Sequence, residues 1–445
     1  MSMRRLSITV LMLGALACGL LTMHALADSQ ARIVRLSDVE GTVQIDRNTG
    51  QGYEKAFLNM PITEGTKLWA KDDGRAEVEF EDGSVVRITP DTKIEFSQLS
   101  LRDSGSKNTN VKVEEGTAYV NFTGQKNSEL SLNFARETVR LTHAAHFRVD
   151  LEDTDATLAV LKGNVEVEGP SGTVEVGKKQ TATFDLADQD RYTVAKNFET
   201  DPDDNWNKQQ DQYHERYLNA NSYSNSMPYS YGVSDLNYYG NYYNVPGYGL
   251  CWQPYFTGAG WDPFMNGAWA WSPGFGYTWV SAYPWGWMPY HYGNWAFVPN
   301  YGWLWQPGGW NNFAAVTPVV NPPVRFTPPH PPARGGTQTV AVGRGPFSSP
   351  GTPPRRTLVI DQGSAGMGVP RGSVRNLGRV SQQVGTSGSM TIRTTPPARV
   401  TMMSPSARNM GSFGGTSSRS TAPAPRMSAP APHASAPHSS SSPHR

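Results

Sequence analysis

The sequence predicts a mainly β chain: an antiparallel or solenoid-like β domain, a short connector helix, a small aromatic β-hairpin repeat module and a disordered C-terminal tail. Three observations carry this reading. Between residues 31 and 186, apolar and polar residues alternate in short runs such as "TVQI", "AEVEFEDGSVVRI" and "VEVEGPSGTVEV". Period two puts one face of each run in a core and turns the other outward. From Tyr223 to Trp310, 29 of 88 residues are Phe, Trp or Tyr, and the only formal charges are Asp235 and Asp262. From Asn311 the chain turns to Pro, Ser, Gly, Thr and Arg, which bury too little apolar surface to offset chain entropy.

Residues 1–27 read as a signal peptide. Arg4 and Arg5 precede an apolar run, and Ala25 and Ala27 supply the small residues of a cleavage site. The expected location is therefore outside the cytoplasm, in the periplasm or at the cell surface. Lipidation at Cys18, or an uncleaved signal acting as an inner-membrane anchor, are the alternatives. No later stretch is apolar for 18 residues, so no further membrane span is expected. Cleavage leaves one cysteine, Cys251, which excludes an intramolecular disulfide. Beside Trp252 it reads as a small apolar residue. The net charge of +1 hides an asymmetry: −14 from Asp28 to Trp310 against +13 from Asn311 to Arg445.

The β domain is placed at residues 28–190. Asp73-Gly74 and Asp82-Gly83 punctuate its strands as hairpin turns. Gly41, Gly116, Gly163 and Gly172 each head a strand, which fits stacked hairpins, a solenoid or a two-sheet sandwich. Several pieces occur in a specific order: Val39 to Ile45, Glu64-Gly65-Thr66 with Leu68, Asp82-Gly83-Ser84, Thr89-Pro90, Glu115-Gly116, and Leu161 to Val165. In that order the segment from Ser37 to Phe184 resembles the periplasmic domain of FecR-type proteins. One piece departs: "HAAHFRV" keeps Phe147 and Val149 but has Ala144-Ala145 where the family often has Gly-Thr. The resemblance implies a FecR-like fold. It also implies a signalling alternative, since such proteins relay a signal from an outer-membrane receptor to a cytoplasmic sigma factor. Only Met1 to Arg5 precede the apolar run, so the cytoplasmic half of such a regulator is not expected here.

Residues 191–222 form a connector with a helix at 201–219. Asp201 can cap it, Pro202 suits the first helical position, and Asp203 and Asp204 favour the positive end of the helix dipole. Trp206, Tyr213 and Tyr217 lie near one face.

The aromatic module spans 223–312 and contains a 26-residue repeat. Trp261, Gly267, Trp269, Trp271, Pro273, Phe275, Gly276, Tyr277 and Trp279 recur as Trp287, Gly293, Trp295, Phe297, Pro299, Tyr301, Gly302, Trp303 and Trp305. Each unit reads as a hairpin braced by cross-strand aromatic pairs. The order "GYG", "WQP", "GAWAWSP", "GYTWV", "PWGWMPYHYG" and "GWLWQPGG" resembles a region that follows the FecR domain in many exported proteins, a domain of unknown function. If one aromatic face stays open, it is expected to involve Trp269, Trp271, Trp279, Trp295, Trp303, Trp305, Tyr290, His291 and Tyr292. Such a face would stack on sugar rings or on a partner protein.

Little else points to chemistry. His143 and His146 stand three apart, but in a strand-like context they face opposite ways, which does not suit a metal site. Paired carboxylates such as Asp72-Asp73 and Glu81-Asp82 read as solvated turns. No metal-binding, nucleotide-binding or nucleophile motif occurs, so neither catalysis nor a cofactor is expected. The tail at 313–445 carries dispersed Arg, which suits an anionic envelope polymer; export argues against nucleic acid. Within it, "RTLVIDQG" is the one short apolar run and a candidate docking strand. The expected role is binding or scaffolding in the cell envelope, toward an envelope protein or glycan. Signalling, and polysaccharide or peptidoglycan binding through the aromatic module, are the alternatives.

Overall fold

The computed structural model describes residues 29–223, 227, 229–310 and 356–394. The expected signal peptide and the tail segments 313–355 and 395–445 lie outside the described residues, as does the Arg-rich contact expected of them.

The N-terminal strands form two packed sheets. The strand Lys107–Phe122 belongs to both. Its first half pairs with Thr92–Arg102 and, in parallel, with Ser128–Phe134. Its second half pairs antiparallel with Val85–Ile88 and Ala145–Leu151. The bend falls at a bulge near Glu115 and at Gly116, whose φ is +82°. A Cβ there would sit 2.5 Å from the Asp91 carbonyl oxygen, so only glycine lets the strand change sheets. The remaining pairings branch outward from this strand without returning to it. Of the topologies the alternation allows, the chain adopts the sandwich.

The sandwich core is the inward set of the alternating runs. Val43, Ile45, Leu68, Ile94, Leu132 and Val176 of the first sheet meet Val78, Val86, Ile88, Phe147, Leu158 and Phe184 of the second. The outer face of the second sheet is also covered, which alternation does not reveal. Arg35, Glu77, Glu79 and Arg87, all outward positions, are fully or almost fully buried. One expected solvated turn is likewise corrected: Glu81 is buried in a bidentate pair with Arg32, at 3.0 and 2.6 Å.

Helix α1 (Asp204–Leu218) covers that outer face. Its N-cap is Asp203 rather than Asp201. The Asp201 carboxylate instead accepts hydrogen bonds from the Asp203 amide and the Tyr119 hydroxyl. The buried stripe is Asn207, Gln210 and Tyr213, so this helix is held largely by polar contacts. Trp206 lies on the rim, where its indole donates to Glu40.

Helix α2 (Val233–Tyr239) opens the aromatic part, and three hairpins follow. Their strands are Gly240–Val245 with Gly249–Pro254, Gly267–Ser272 with Gly276–Ser281, and Tyr292–Val298 with Gly302–Trp310. A short helix, α3 (Met288–His291), precedes the last. The first and third hairpins share a four-stranded sheet, joined at Trp252 and Trp305. The second stands alone on the sandwich.

The structure corrects the disordered tail at residues 356–394. The strands Arg356–Asp361 and Ser389–Thr394 pair antiparallel and flank helix α4 (Leu377–Ser387). Leu358, Ile360, Val369, Leu377 and Val384 join the aromatic core. The run "RTLVIDQG" is thus a docked strand, whose partner strand Ser389–Thr394 pairs with it from Asp361↔Ser389 to Arg356↔Thr394.

Candidate functional site

The sequence repeat is a structural repeat, and it has three copies rather than two. The cross-strand pairs Trp269–Trp279 and Trp295–Trp305 occupy equivalent positions, as the 26-residue period requires. Tyr242–Trp252 is a third such pair, in the first hairpin. Each hairpin turns through three residues: Pro246-Gly247-Tyr248, Pro273-Gly274-Phe275 and Pro299-Asn300-Tyr301. The central residues have φ of +80°, +72° and +71°. Proline followed by Gly or Asn is the chemistry such a turn needs. The first strand of the repeat also carries a glycine for packing. A Cβ on Gly240 or Gly267 would lie 2.3 Å from the indole of Trp252 or Trp279. Sequence comparison missed the first copy because Tyr242 and Asn244 replace the two tryptophans of the second.

The repeat separates its faces by size. On the second hairpin, Trp269, Trp271, Tyr277 and Trp279 share one face, while Ala268, Ala270, Thr278 and Val280 share the other. The small face lies on the sandwich, with Ala270 and Val280 inside its core cluster. Around it, Arg47 donates to the Trp271 carbonyl, and Asn59 donates to those of Ser281 and Tyr283 at 3.0 and 2.8 Å.

The aromatic faces converge on the segment between the second and third hairpins. Trp285 is its centre. Its ring stacks on Tyr283 at 5.0 Å and 7°. It meets Trp252, Tyr290, Trp295 and Trp261 at 5.0, 5.8, 5.9 and 6.2 Å. Four of the nine residues expected on an open face are therefore core. Trp305, Tyr290, His291 and Tyr292 are each no more than 2% exposed. Burial pushes the His291 imidazole down to about 4, and its Nδ1 lies 2.8 Å from the Trp287 carbonyl oxygen. Tyr292 shares a 2.6 Å hydrogen bond with Tyr231. Trp269, Trp271, Trp279, Trp295 and Trp303 are half-buried. The most exposed aromatic side chains are not among those nine: Phe297 is 60% exposed and Tyr301 46%, beside Trp303, and Tyr223, Tyr243, Tyr248 and Phe264 are exposed to a lesser degree.

Behind the module lies a buried charge network. Glu77 Oε1 accepts from Ser37 at 2.7 Å and from Arg371 at 2.7 Å, and lies 3.0 Å from His214 Nε2. Its other oxygen accepts from Arg87 at 2.8 Å. Asp235, on α2, pairs with Arg35 at 2.6 Å and with Arg371 at 3.1 and 3.2 Å, and accepts from Tyr213 at 2.7 Å. Burial by itself would raise the Glu77 carboxyl, but His214, Arg371 and Arg87 outweigh it and hold it well below the usual range. Asp235 is lowered in the same way, burial being outweighed by Arg371 and Arg35. For Asp38 burial wins and pushes its carboxyl up to about 7. His214 moves up, because Glu77 and Glu79 outweigh the effect of burial. The network joins four regions: the sandwich, α1, α2 and the C-terminal segment. His146 belongs to its edge, 3.0 Å from Asn207 and 3.5 Å from Asp211. His143 instead contacts Thr142 at 2.9 Å. No group of potential metal ligands occurs among the described residues.

Two family models match these two bodies. One, described as FecR protein, matches residues 66–166. The other, a family of unknown function named DUF6600, matches residues 233–325. The chain carries a FecR domain and a DUF6600 domain.

Two solved structures are similar to part of the chain. Both are crystal structures of "a putative anti-sigma factor" from Parabacteroides distasonis, each 17% identical with a TM-score of 0.26. The match covers 30% of this chain and 60% of theirs. A search of curated proteins finds no match. Arg371 falls outside both family matches, and its sequence neighbourhood of small residues and Pro carries no signal of a buried ion pair. Glu77 and Arg87 fall inside the FecR match; the DUF6600 match contains Asp235.

Proposed function

We propose that this is a non-catalytic cell-envelope protein that binds or scaffolds through its DUF6600 domain, with the FecR domain as rigid support. The observation that supports this most directly is the division among the aromatic residues. Most are committed to one core, yet Phe297 and Tyr301 stand out at the tip of the third hairpin with Trp303 beside them. Exposed aromatic surface on a braced hairpin suits stacking on an apolar sugar face or on a partner side chain. Export to the periplasm or surface belongs to the same proposal. No helix among the described residues is long and apolar enough to cross a membrane.

The test is a pull-down of the full chain on insoluble peptidoglycan and envelope polysaccharide, wild type against Phe297→Ala/Tyr301→Ala. Bound protein should fall about ten-fold, as expected from two lost stacking contacts of ~0.5–1.5 kcal/mol each. Unchanged retention removes the platform. Trp269→Ala serves as a comparison, because its ring packs edge-on against Trp279 at 5.5 Å and its loss perturbs the hairpin itself.

The FecR match favours a second reading, a signalling regulator. Affinity enrichment of the tagged full chain from envelopes separates the two. Recovery of an outer-membrane receptor or a sigma factor supports signalling; recovery of glycan or scaffold components alone supports binding.

A further inference from the structure

The segment 356–394 meets the rest of the chain as a peptide meets a receptor. It lies outside both family matches, and 45 residues separate it from the end of the third hairpin. Most of its polar contacts are made through its backbone. The Trp285 indole donates to the Ala365 carbonyl at 2.6 Å, and the Tyr239 hydroxyl to the Val369 carbonyl at 2.6 Å. The Tyr238 hydroxyl donates to the Val374 carbonyl at 3.2 Å and accepts from the Val374 amide at 3.0 Å. The amides of Gly363 and Ala365 both donate to the Phe256 carbonyl. Two glycines let the backbone approach the rings. A Cβ at Gly366 would lie 2.9 Å from Tyr239, and one at Gly372 3.4 Å from Tyr213.

One side chain supplies the charge. Arg371 enters between Glu77 of the FecR domain and Asp235 of the DUF6600 domain. Its guanidinium also lies over the Tyr213 ring, 5.2 Å from the centroid. Without it, two buried carboxylates would share Arg35, Arg87 and His214 with one cation fewer. Such a seat selects a guanidinium and rejects an acid.

We infer that the junction of the two domains is a peptide-docking site. Its ligand is a turn-rich, Gly-rich segment with a central arginine, closed by a helix and a pair of strands, and residues 356–394 fill it in cis. Family matches on either side of the junction leave this ligand out, and 45 residues of sequence separate it from the third hairpin.

The test uses the full chain with a protease site inserted near residue 340 and cut after purification. The C-terminal fragment should stay bound through gel filtration, held by the seat alone. A labelled synthetic peptide of residues 356–394, added in excess, should then replace it under native conditions. The same peptide carrying Arg371→Glu should compete at least 30-fold less well, the effect of breaking a desolvated charge pair. Three outcomes overturn the proposal. The cut fragment dissociates at once, or it does not exchange until the whole protein unfolds, or the Arg371→Glu peptide competes as well as wild type. Because residues 29–310 and 356–394 keep their native sequence in the protein, no outcome turns on a substitution within the fold. Loss of glycan binding by Phe297→Ala/Tyr301→Ala is independent of this result.

Discussion

Replacing Trp285 with alanine should unfasten the DUF6600 domain while leaving the FecR sandwich intact. Trp285 is fully buried and touches five other aromatic rings. A tryptophan of this kind removes ~200 Å² from water. At ~25 cal/mol per Å² that is ~5 kcal/mol, an upper bound because the unfolded chain already hides part of the ring. The broken hydrogen bond to the Ala365 carbonyl adds ~1 kcal/mol. The expected loss is therefore ~3–5 kcal/mol, in the range of buried Trp→Ala changes. Trp285→Phe keeps most of the apolar area and should lose only ~1–2 kcal/mol. Trp285 belongs to the aromatic core cluster, and the sandwich has its own. Urea unfolding followed by near-UV circular dichroism should report the loss. Hydrogen exchange should place it in residues 240–254, 292–310 and 356–394, with protection at 128–185 unchanged. A loss below ~1 kcal/mol, or equal loss of protection in the sandwich, would refute the assignment of Trp285 as the centre of a separate core.

Further expectations follow from single contacts. Gly293→Ala should destabilise the third hairpin by ~2 kcal/mol or more, since its φ is +67° and the new Cβ would lie 2.0 Å from the Gln306 carbonyl oxygen; thermal unfolding measures it. Ala270→Leu should cost ~1–3 kcal/mol by overpacking the small face against the sandwich, whereas Ala296→Leu, at a half-buried position, should cost less in the same assay. Asp38→Asn should raise the melting temperature at pH 8 and leave it unchanged at pH 3. The carboxyl titrates at about 7 in the fold against 3.8 in the unfolded chain, so its ionisation penalty is absent below 3.8 and complete above 7. Glu77 acts in the opposite sense: held below its usual range, it contributes stability above pH 4.5 that disappears as pH falls through its folded value. Glu77→Gln should therefore flatten the acid limb of the stability profile.

The sandwich strands and the aromatic hairpins were legible because their signals are local. Alternation in "AEVEFEDGSVVRI" assigns Val78, Val86 and Ile88 to the core whatever lies beyond them. Likewise Pro-Gly-Phe-Gly at residues 273–276 specifies a turn, and the glycine and tryptophan twelve residues apart specify the register around it. The candidate face was only partly legible. Repetition marks which aromatic residues pair, but Trp295 and Phe297, two apart on one strand face, end half-buried and open because Trp285 reaches the first and not the second.

The sequence by itself determined the β class, the order of the bodies and the hairpin as the repeating unit, since each depends on residues within about one turn or strand of one another. Tertiary structure alone decided which surfaces those units cover. Glu77 and Glu79 read as solvent-facing, and they are buried because α1, α2 and a segment nearly three hundred residues away close over them. Arg371 read as part of a soluble tail, and it is an anchor because two carboxylates from different domains meet at one point. Burial of a charge depends on a partner that only folding brings near, and no local period records where that partner is.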